Sequence, residues 1–382
     1  MAVLKIPAVY MRGGTSKGIF FNARDLPRDP EQRDRVLLRA LGSPDPYARQ
    51  ADGMGGASPS TSKVVVVDAS SRDDCDVEYR CGQVAIDRPF IDWTASGGSL
   101  AVAVGPYAIQ QGLVAPREGT TVVRIWQPHP GRWLAAHVEV RGGEVLEDGA
   151  FTEDGVPFPA AEVRLDFVHD GAASLLPTGR VQDVLEIDGA GTLAATLVRT
   201  DEPTIFVRAA DLGLNGREKP EAFNRDAKTL ARLEAVRIEG AVAMGLMSRA
   251  RAEKAGAVLP RLVWVAPPTS YKSATGLDIS RDSIDVLARG LANGRMQPGF
   301  GTRNAISLAV AAAVPGSVVS QVARTLPGVA TRIGHASGVQ AAWATVVRNE
   351  AGWGLERATV SRTARCLMSG WVHVPAGPGR LC

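Results

Sequence analysis

The 382-residue sequence has few of the residues that metal, redox and membrane functions require. It has four cysteines and five histidines, and no pair of cysteines has the C-x-x-C spacing of zinc and thiol redox sites. We therefore expect no metal, no cofactor and no disulfide framework. No apolar run reaches the about 18 residues of a membrane-spanning helix, and no charged segment followed by a long apolar stretch marks a secretion signal. These absences predict a cytoplasmic protein that does not bind membranes.

A strong excess of one charge is also lacking. The 43 lysines and arginines nearly balance the 40 acidic residues, for a net charge of +3. No basic block interleaved with aromatic residues is present, which argues against a nucleic-acid partner. Aromatic residues make up only 5% of the chain, so we expect a core of small side chains. The length exceeds one ordinary core, and we predict two domains, residues 1–183 and 184–382.

The most informative segment, residues 12–18 (Arg-Gly-Gly-Thr-Ser-Lys-Gly), follows an apolar run at 3–10 that predicts a strand. Its three glycines allow the backbone to approach a ligand closely. Thr15, Ser16 and Lys17 add donors suited to a carboxylate or phosphate. No G-K-[ST] sequence closes the segment, so it is not a phosphate-binding P-loop. It is either an anion-binding loop or an ordinary glycine turn between two strands.

Lys63 follows a second segment rich in glycine and hydroxyl residues, which begins at Asp52. Directly after it come four valines, 64–67, a run typical of a strand buried on both faces. The lysine is therefore either a functional group at the mouth of a buried strand or a solvated residue at the strand end.

The two halves of the sequence share a pattern. Residues 96–99 (Ser-Gly-Gly-Ser) and 302–304 (Thr-Arg-Asn) each precede a stretch of small apolar residues. A helix that is apolar on all sides must be buried, so we predict two sheets, each surrounding a central helix. Each helix should break at its Gly-Pro or Pro-Gly pair, with strands at 121–126 and 317–322. Chance similarity of alanine-rich sequence is the alternative.

The opening motif, followed by Ile-Phe-Phe at 19–21, resembles the signature of the PrpF family. That family comprises 2-methylaconitate cis-trans isomerases and their relatives, including oxalomesaconate tautomerases and methylitaconate and aconitate isomerases. The resemblance extends over nearly the whole chain. It implies an α+β fold of two similar diaminopimelate-epimerase-like domains, each a curved, mostly antiparallel sheet around a central helix. It also implies a site in the cleft between the domains, where the helix N-termini stabilise carboxylates.

The resemblance assigns the general acid/base to Lys63, within the matching segment 61–64. Residues 95–98 (Ala-Ser-Gly-Gly) stand where relatives usually have Asn-Cys-Gly-Asn. A two-cysteine epimerase mechanism is therefore excluded, and Ser96 is expected to hydrogen-bond. His129 replaces an asparagine of the family, and residues 335–338 (His-Ala-Ser-Gly) resemble its His-Pro-Ser-Gly turn. These departures indicate a divergent member with an altered substrate.

The prediction is a cofactor-independent isomerase that moves or inverts a C=C bond of an unsaturated di- or tricarboxylate through Lys63. Aconitate, methylaconitate and oxalomesaconate are the substrate types implied, and a homodimer is compatible with the sequence. The alternatives are a non-catalytic tricarboxylate-binding or accessory protein on the same scaffold, or an epimerase or racemase of a small acid. The predicted catalytic residues are Lys63 and Ser96, and the predicted substrate-binding residues are Arg12, Thr15, Ser16, Lys17, Met54, Gly55, Ser62, Gly97, Gly98, Ser99, His129, Thr302, Arg303, Ser337 and Gly338.

Overall fold

A computed structural model describes residues 3–94, 98–129, 131–169, 171–187, 191–254, 259–292, 294–296, 299–326 and 328–375. The chain divides into two compact units, which we call unit 1 (Met1–Phe167 with Ser361–Cys382) and unit 2 (Val168–Val360). The predicted division at residue 183 differs from this grouping, as does the assignment of the C-terminal residues to the second domain. The physical reason is a long final strand that begins in unit 2 and ends paired with the first strand of unit 1.

The elements follow one another along the chain as strands interrupted by few helices. In order they are β1 (Val3–Gly13), β2 (Ser16–Asn22), α1 (Pro30–Leu41), β3 (Lys63–Ala69), β4 (Val77–Val84), β5 (Ile91–Asp92), α2 (Ala101–Gln110), β6 (Gly119–Gln127), β7 (Arg132–Arg141), β8 (Glu144–Val145), β9 (Glu162–Val168), β10 (Asp183–Ile187), β11 (Gly191–Arg199), β12 (Pro203–Arg208), α3 (Pro220–Phe223), α4 (Ala227–Ala243), α5 (Arg249–Lys254), β13 (Arg261–Ala266), β14 (Tyr271–Lys272), β15 (Asp278–Ile279), β16 (Val286–Ala292), β17 (Arg295–Met296), α6 (Thr302–Ala313), β18 (Thr331–His335), β19 (Gly338–Asn349) and β20 (Gly352–Pro375).

The two units repeat one topology. In unit 1, β1 and β2 are antiparallel, β2 and β3 are parallel across α1, β3 and β4 are antiparallel, and β4 and β6 are parallel across α2. In unit 2 the same order of pairings joins β11, β12, β13, β16 and β18, with α3–α5 and α6 in the crossovers. The predicted α+β class and the mostly antiparallel sheets are confirmed.

Each unit has a buried central helix, as predicted. In α2, every residue from Ala101 to Ile109 is buried, and the helix packs against β1, β6, β7 and β8. In α6, residues 305–312 are buried against β11, β12, β18 and β19. A helix buried on all sides needs a sheet that curves around it, which is the arrangement the apolar repeat predicts.

Two local predictions are wrong. Helix α2 continues through Pro106, because burial of the whole helix outweighs the loss of one backbone hydrogen bond at the proline. The predicted strand at 317–322 is a pair of helical turns, in which the amides of Gln321 and Ala323 donate to the carbonyls of Ser317 and Val319. The Ser317 side chain stabilises these turns by accepting from the Ser320 amide at 2.9 Å.

Helix α1 covers the outer face of the unit 1 sheet. Asp29 caps its start by accepting from the Gln32 amide at 2.8 Å, and Gly42 ends it with φ of 74°. Its buried residues pack in one apolar cluster with alternate residues of β2 and β3, namely Ile19, Phe21, Val64 and Val66. The inner face of the sheet is the one that faces α2.

The helices α3, α4 and α5 pack outside the unit 2 sheet. Of the helices that the structure describes, none has both the length and the apolar character needed to cross a membrane.

Candidate functional site

The glycine loop, Lys63 and the start of α2 meet inside unit 1. A Cβ built on Gly18 would lie 2.7 Å from the Lys63 carbonyl oxygen and 3.0 Å from Cδ1 of Leu100. A Cβ built on Gly13 would lie 2.8 Å from the Ser99 carbonyl oxygen. Real side chains do not tolerate such distances to backbone, so only glycine permits this approach. Three segments that the sequence analysis singled out are thus in contact.

Lys63 points to the inner face of the sheet, toward α2. Successive side chains of a strand alternate between faces. Since Val64 and Val66 pack with α1 on the outer face, Lys63 and Val65 face the other way. The lysine side chain is half-buried there.

Ser16 lies on the same inner face. Phe20 pairs with Val65 across β2 and β3, and its ring lies 5.3 Å from the ring of Tyr107 in α2. Ser16, four residues before Phe20 on the same strand, shares that orientation and is buried. A hydroxyl and an ammonium therefore face α2 from adjacent strands.

Gln83 holds the end of the lysine side chain. Lys63 and Gln83 are directly opposed in the antiparallel pairing of β3 and β4. Nζ of Lys63 donates to Oε1 of Gln83 at 2.6 Å, and Nε2 of Gln83 donates to the carbonyl of Ser62 at 3.0 Å. Among the residues that the structure describes, no carboxylate forms an ion pair with Lys63.

A buried thiol lies near Lys63. Burial raises the pKa of Cys81 on β4 to about 11, and the charge of Lys63 lowers it only in part. The thiol is 1% exposed and stays protonated at neutral pH. Cys81 is therefore not a second base and does not replace the cysteine missing at residue 96.

Arg12 ties the glycine loop together. Its guanidinium donates to the Gly14 carbonyl at 3.1 Å, and to the carbonyl and hydroxyl of Thr363 at 3.1 and 2.8 Å. Burial lowers the pKa of Arg12, although Glu153 acts in the opposite direction. These bonds fix the loop backbone from within the protein.

The buried carboxylate of Glu153 packs against the glycine loop. The side chain of Glu153 is only 3% exposed, and it accepts from the amide and hydroxyl of Thr363, both at 2.8 Å, and from Arg362 at 3.0 Å. A Cβ built on Gly14 would lie 3.1 Å from Oε1 of Glu153. Gly14 therefore rests directly on this carboxylate.

Several predicted binding residues lie on the outer face, away from Lys63. The ammonium of Lys17 lies 5.4 Å from the centre of the Tyr10 ring, and the Tyr10 hydroxyl donates to the Met54 carbonyl at 3.3 Å. Tyr10 and Met54 pack on the apolar cluster next to α1. The amide of Gly55 donates to the Leu41 carbonyl at the end of that helix. The structure thus separates Lys17, Met54 and Gly55 from the inner face.

Ser62 and Thr15 have local contacts. Ser62 is fully buried, and its hydroxyl donates to Oε1 of Gln50 at 2.6 Å. Gln50 also accepts from the Ala57 amide, so it organises the segment that leads to β3. Thr15 is exposed, and a Cβ built on Gly155 would meet its methyl group at 2.8 Å.

The segment before α2 is described only in part. Ser96 and Gly97 lie outside the described residues. Gly98 and Ser99 form the turn that leads into α2, and a Cβ built on Gly98 would have no heavy atom within 4 Å. His129 lies in an exposed turn after β6. Open space next to Gly98 is compatible with close contact between a ligand and the backbone.

In unit 2, the start of α6 carries an ion-paired arginine. Arg303 pairs with one oxygen of Glu202, and Nε of Arg261 lies 2.9 Å from the other. Burial would raise the pKa of Glu202, but the hydrogen bonds and charges of the two arginines outweigh it and lower the pKa overall. Arg261 is the first residue of β13, as Lys63 is the first residue of β3.

The predicted turn 335–338 lies beside the same end of α6. The His335 ring stacks at 6.4 Å on Phe300, which precedes the helix, and the Ser337 amide donates to Nδ1 of His335 at 3.3 Å. The Tyr271 hydroxyl lies within hydrogen-bond distance of the carbonyls of His335 and Gly338. Unit 2 thus brings the turn close to the helix start that carries Thr302 and Arg303.

No group of three or more His, Cys, Asp or Glu in the described part of the chain could hold a metal ion.

Comparison with known proteins identifies the family. A family model described as PrpF protein matches residues 3–375. This chain belongs to the PrpF family. The family resemblance predicted from the opening motif is confirmed.

Relatives of this PrpF chain are similar over nearly its whole length. The 2-methyl-aconitate isomerase of Shewanella oneidensis is 43% identical over 386 residues, and the alignment covers 97% of each chain. The crystal structure of a methylitaconate-delta-isomerase has a TM-score of 0.90 at 35% identity, and covers 98% of this chain and 96% of its own. These relatives are named isomerases, so the predicted enzyme class is confirmed.

A more distant structure bears on the fold alone. A hydroxyproline epimerase from Agrobacterium vitis has a TM-score of 0.51 at 13% identity, and covers 97% of this chain and 92% of its own. The predicted epimerase-like fold of the PrpF chain is confirmed by this likeness.

Two residues of the PrpF chain, Gln83 and Glu153, were not predicted from the sequence. Period-two alternation puts Gln83 on the same side of β4 as Cys81, but the sequence does not reveal that Gln83 pairs with Lys63. For Glu153 no signal existed, since Thr363 lies 210 residues farther along the chain.

Proposed function

We propose that this PrpF-family protein is a cofactor-independent isomerase that moves the double bond of an unsaturated di- or tricarboxylate, with Lys63 as the proton carrier. The observation that carries the proposal is the close approach of the glycine loop both to the backbone of Lys63 and to the start of α2. The named relatives support it, since they act on methylaconitate and methylitaconate.

The chemistry follows from one amine above an allyl system. Lys63 as a neutral amine removes a proton from the carbon next to the double bond, whose acidity the attached carboxylates increase. The electron pair left behind spreads over the allyl carbons and the conjugated carboxylate. The lysine ammonium then returns a proton to the far end of the allyl system. No atom is gained or lost, and the double bond has moved.

The groups around Lys63 suit the charge that develops. Free backbone amides at the start of α2 carry the positive end of the helix dipole, which favours carboxylates and enolate-like charge. Gly98 leaves room for a ligand near these amides, and the Ser16 hydroxyl can donate on the same face. We assign substrate binding in unit 1 to Ser16, Gly98 and Ser99.

We retain Thr302, Arg303, Ser337 and Gly338 as carboxylate contacts of unit 2. Their support is the gathering of these residues at the start of α6, the positive end of that helix dipole.

The reaction is tested by proton NMR of the protein in deuterated buffer with a panel of aconitate-type acids. We expect deuterium at one allylic carbon together with a new isomer. A saturated tricarboxylate is the matched control, because it can bind but has no double bond to move. Saturable binding of panel members without exchange would contradict the proposal and favour a binding protein on this scaffold.

A further inference from the structure

We propose that Gln83 is a positioning residue that holds the Lys63 nitrogen through both of its protonation states. The contact itself is independent of any reaction, but its consequence for turnover rests on the proposed function. Gln83 acts through the lysine and needs no contact with substrate.

The backbone register sets the pair. Lys63 and Gln83 are opposed in the antiparallel pairing of β3 and β4, so both side chains leave the same face of the sheet. Their contact at 2.6 Å between Nζ and Oε1 restrains a side chain that otherwise has four rotatable bonds. A lysine held at its tip presents its nitrogen at one place.

The amide has only one favourable orientation. Nε2 of Gln83 donates to the Ser62 carbonyl at 3.0 Å, which turns Oε1 toward the lysine. The reverse orientation would set an NH2 group against the ammonium and an oxygen against the Ser62 carbonyl. The backbone of the residue before Lys63 therefore fixes which atom the lysine meets.

A neutral acceptor suits a lysine that must lose and regain a proton. The ammonium has three N–H donors and the amine has two, so an amide oxygen can hold both forms. A carboxylate in its place would favour the ammonium and oppose release of the proton. An amide thus fixes the position of the nitrogen without fixing its charge.

Among the described residues near the pair, the other ionisable groups do not supply that carboxylate. Cys81, on the same face of β4, is a buried thiol. Asp92 of β5 pairs in register with Gln83, and its Oδ1 accepts from the amide and hydroxyl of Thr94 at 2.9 and 2.6 Å. On the neighbouring β2, the Lys17 ammonium stacks on Tyr10 at the outer face.

The test compares Gln83→Glu, Gln83→Met and the control Gln32→Glu, which adds the same charge at an exposed position of α1. The measurement is the pH profile of kcat/KM, with kcat and KM at each pH. For Gln83→Glu we expect the acidic limb to move up by about one pH unit or more. Activity should fall about ten-fold near neutrality and recover at high pH.

The other two variants separate positioning from simple damage. Gln83→Met removes the acceptor without adding charge, so we expect kcat to fall about ten-fold, KM to stay within about three-fold, and the acidic limb not to move up. Gln32→Glu should overlay the wild type. The proposal would be overturned if the pH profiles of both Gln83 variants overlaid that of the wild type. It would also be overturned if both variants lost the same fraction of activity at every pH.

A second readout needs no substrate. Trace acetylation by acetic anhydride, followed by peptide mass spectrometry, reports the pH at which Lys63 becomes reactive, with exposed Lys5 as the internal reference. We expect Gln83→Glu to move the Lys63 curve to higher pH and leave Lys5 unchanged. If the Lys63 curve shifts but the wild type shows no isomerase activity, the proposed function is wrong and the contact between Gln83 and Lys63 still stands. Activity without any shift would remove the role of Gln83 alone.

Discussion

The two units share a topology, but different groups hold the basic residue that begins β3 in unit 1 and β13 in unit 2. Arg261 opens β13 and, with Arg303, is paired with the carboxylate of Glu202. Lys63 opens β3 and is held by the neutral amide of Gln83. A carboxylate fixes its partner in the charged form, whereas an amide does not. Arginine stays charged with any partner, so unit 2 holds a paired permanent cation where unit 1 holds a lysine beside a neutral amide.

The loops that precede the neighbouring strands, β2 in unit 1 and β12 in unit 2, also differ in where they place an acidic residue. Glu202 stands directly before β12, and the matching place before β2 is occupied by Thr15 in the glycine loop. Unit 1 does contain a carboxylate nearby, but Glu153 is buried beneath Gly14 and bonded to Thr363 and Arg362. In unit 1 the buried carboxylate of Glu153 therefore stabilises the loop backbone, and no described carboxylate pairs with Lys63.

The largest effect on stability is expected where unit 1 needs glycine for close approach. Gly18→Ala would push a methyl group to 2.7 Å from the Lys63 carbonyl oxygen, so β2 and β3 must separate. We expect a loss of about 2–3 kcal/mol in the free energy of unfolding, measured by urea denaturation. Gly370→Ala is the control, since its Cβ would meet no atom within 4 Å. Equal stabilities of the two variants would contradict the close approach.

Breaking the ion pairs of unit 2 should cost somewhat less. Glu202→Gln leaves Arg261 and Arg303 without a counter-charge, and we expect a loss of about 2 kcal/mol at pH 7. Because the folded-state pKa of Glu202 is lowered, its contribution is fully present above the ordinary value of 4.5 and is lost as the pH falls through the folded-state value. When unfolding is measured down to about pH 2, the unfolding free energies of the wild type and Glu202→Gln should converge. A difference that persists at low pH would refute the charge-based explanation.

Removing the charge beneath the glycine loop should affect both stability and binding. Glu153→Gln keeps the shape of the side chain but weakens its hydrogen bonds to Thr363 and Arg362. We expect the free energy of unfolding to fall by about 1.5 kcal/mol. Since Gly14 rests on this side chain, KM for the carboxylate substrate should rise more than kcat falls. Glu31→Gln, the same acid-to-amide change at an exposed position of α1, is the control. An unchanged KM in Glu153→Gln would separate the loop from substrate binding.

The smallest effect is expected at Lys17, on the outer face of the unit 1 sheet. Lys17→Met removes a cation that stacks on Tyr10 at the outer face, worth about 0.5–1 kcal/mol. Steady-state kinetics should show turnover within about three-fold of the wild type. A loss of several hundred-fold would restore Lys17 to the substrate site that the sequence pattern suggested.

Local chemistry was readable from the sequence where neighbours along the chain decide the structure. Helix α1 begins after Asp29 and ends at Gly42, residue types typical of helix ends, because its caps are formed within one turn. The buried strand after Lys63 and the paired central helices followed from runs of apolar residues. Helix α2 nevertheless passes through Pro106, because its surroundings are tertiary and no local rule includes them.

Contacts between distant segments were not readable. The bond of Lys63 to Gln83 depends on the exact register of β3 and β4, and one residue of slip would turn the glutamine away. The return of β20 to pair with β1 also determines which unit owns the C-terminal residues. Lys17 was placed with the binding residues because it shares their motif, but strand alternation sends its side chain to the opposite face.

The most direct test compares Lys63→Met with Arg261→Met, the two cations at matching places in the repeat. Isomerase turnover and thermal melting would be measured on both proteins in parallel. We expect Lys63→Met to lose at least about 10³-fold in turnover with an unchanged melting temperature. Arg261→Met should melt earlier, and its folded fraction should keep turnover within about ten-fold of the wild type. An active Lys63→Met protein would contradict the assignment of proton transfer to unit 1.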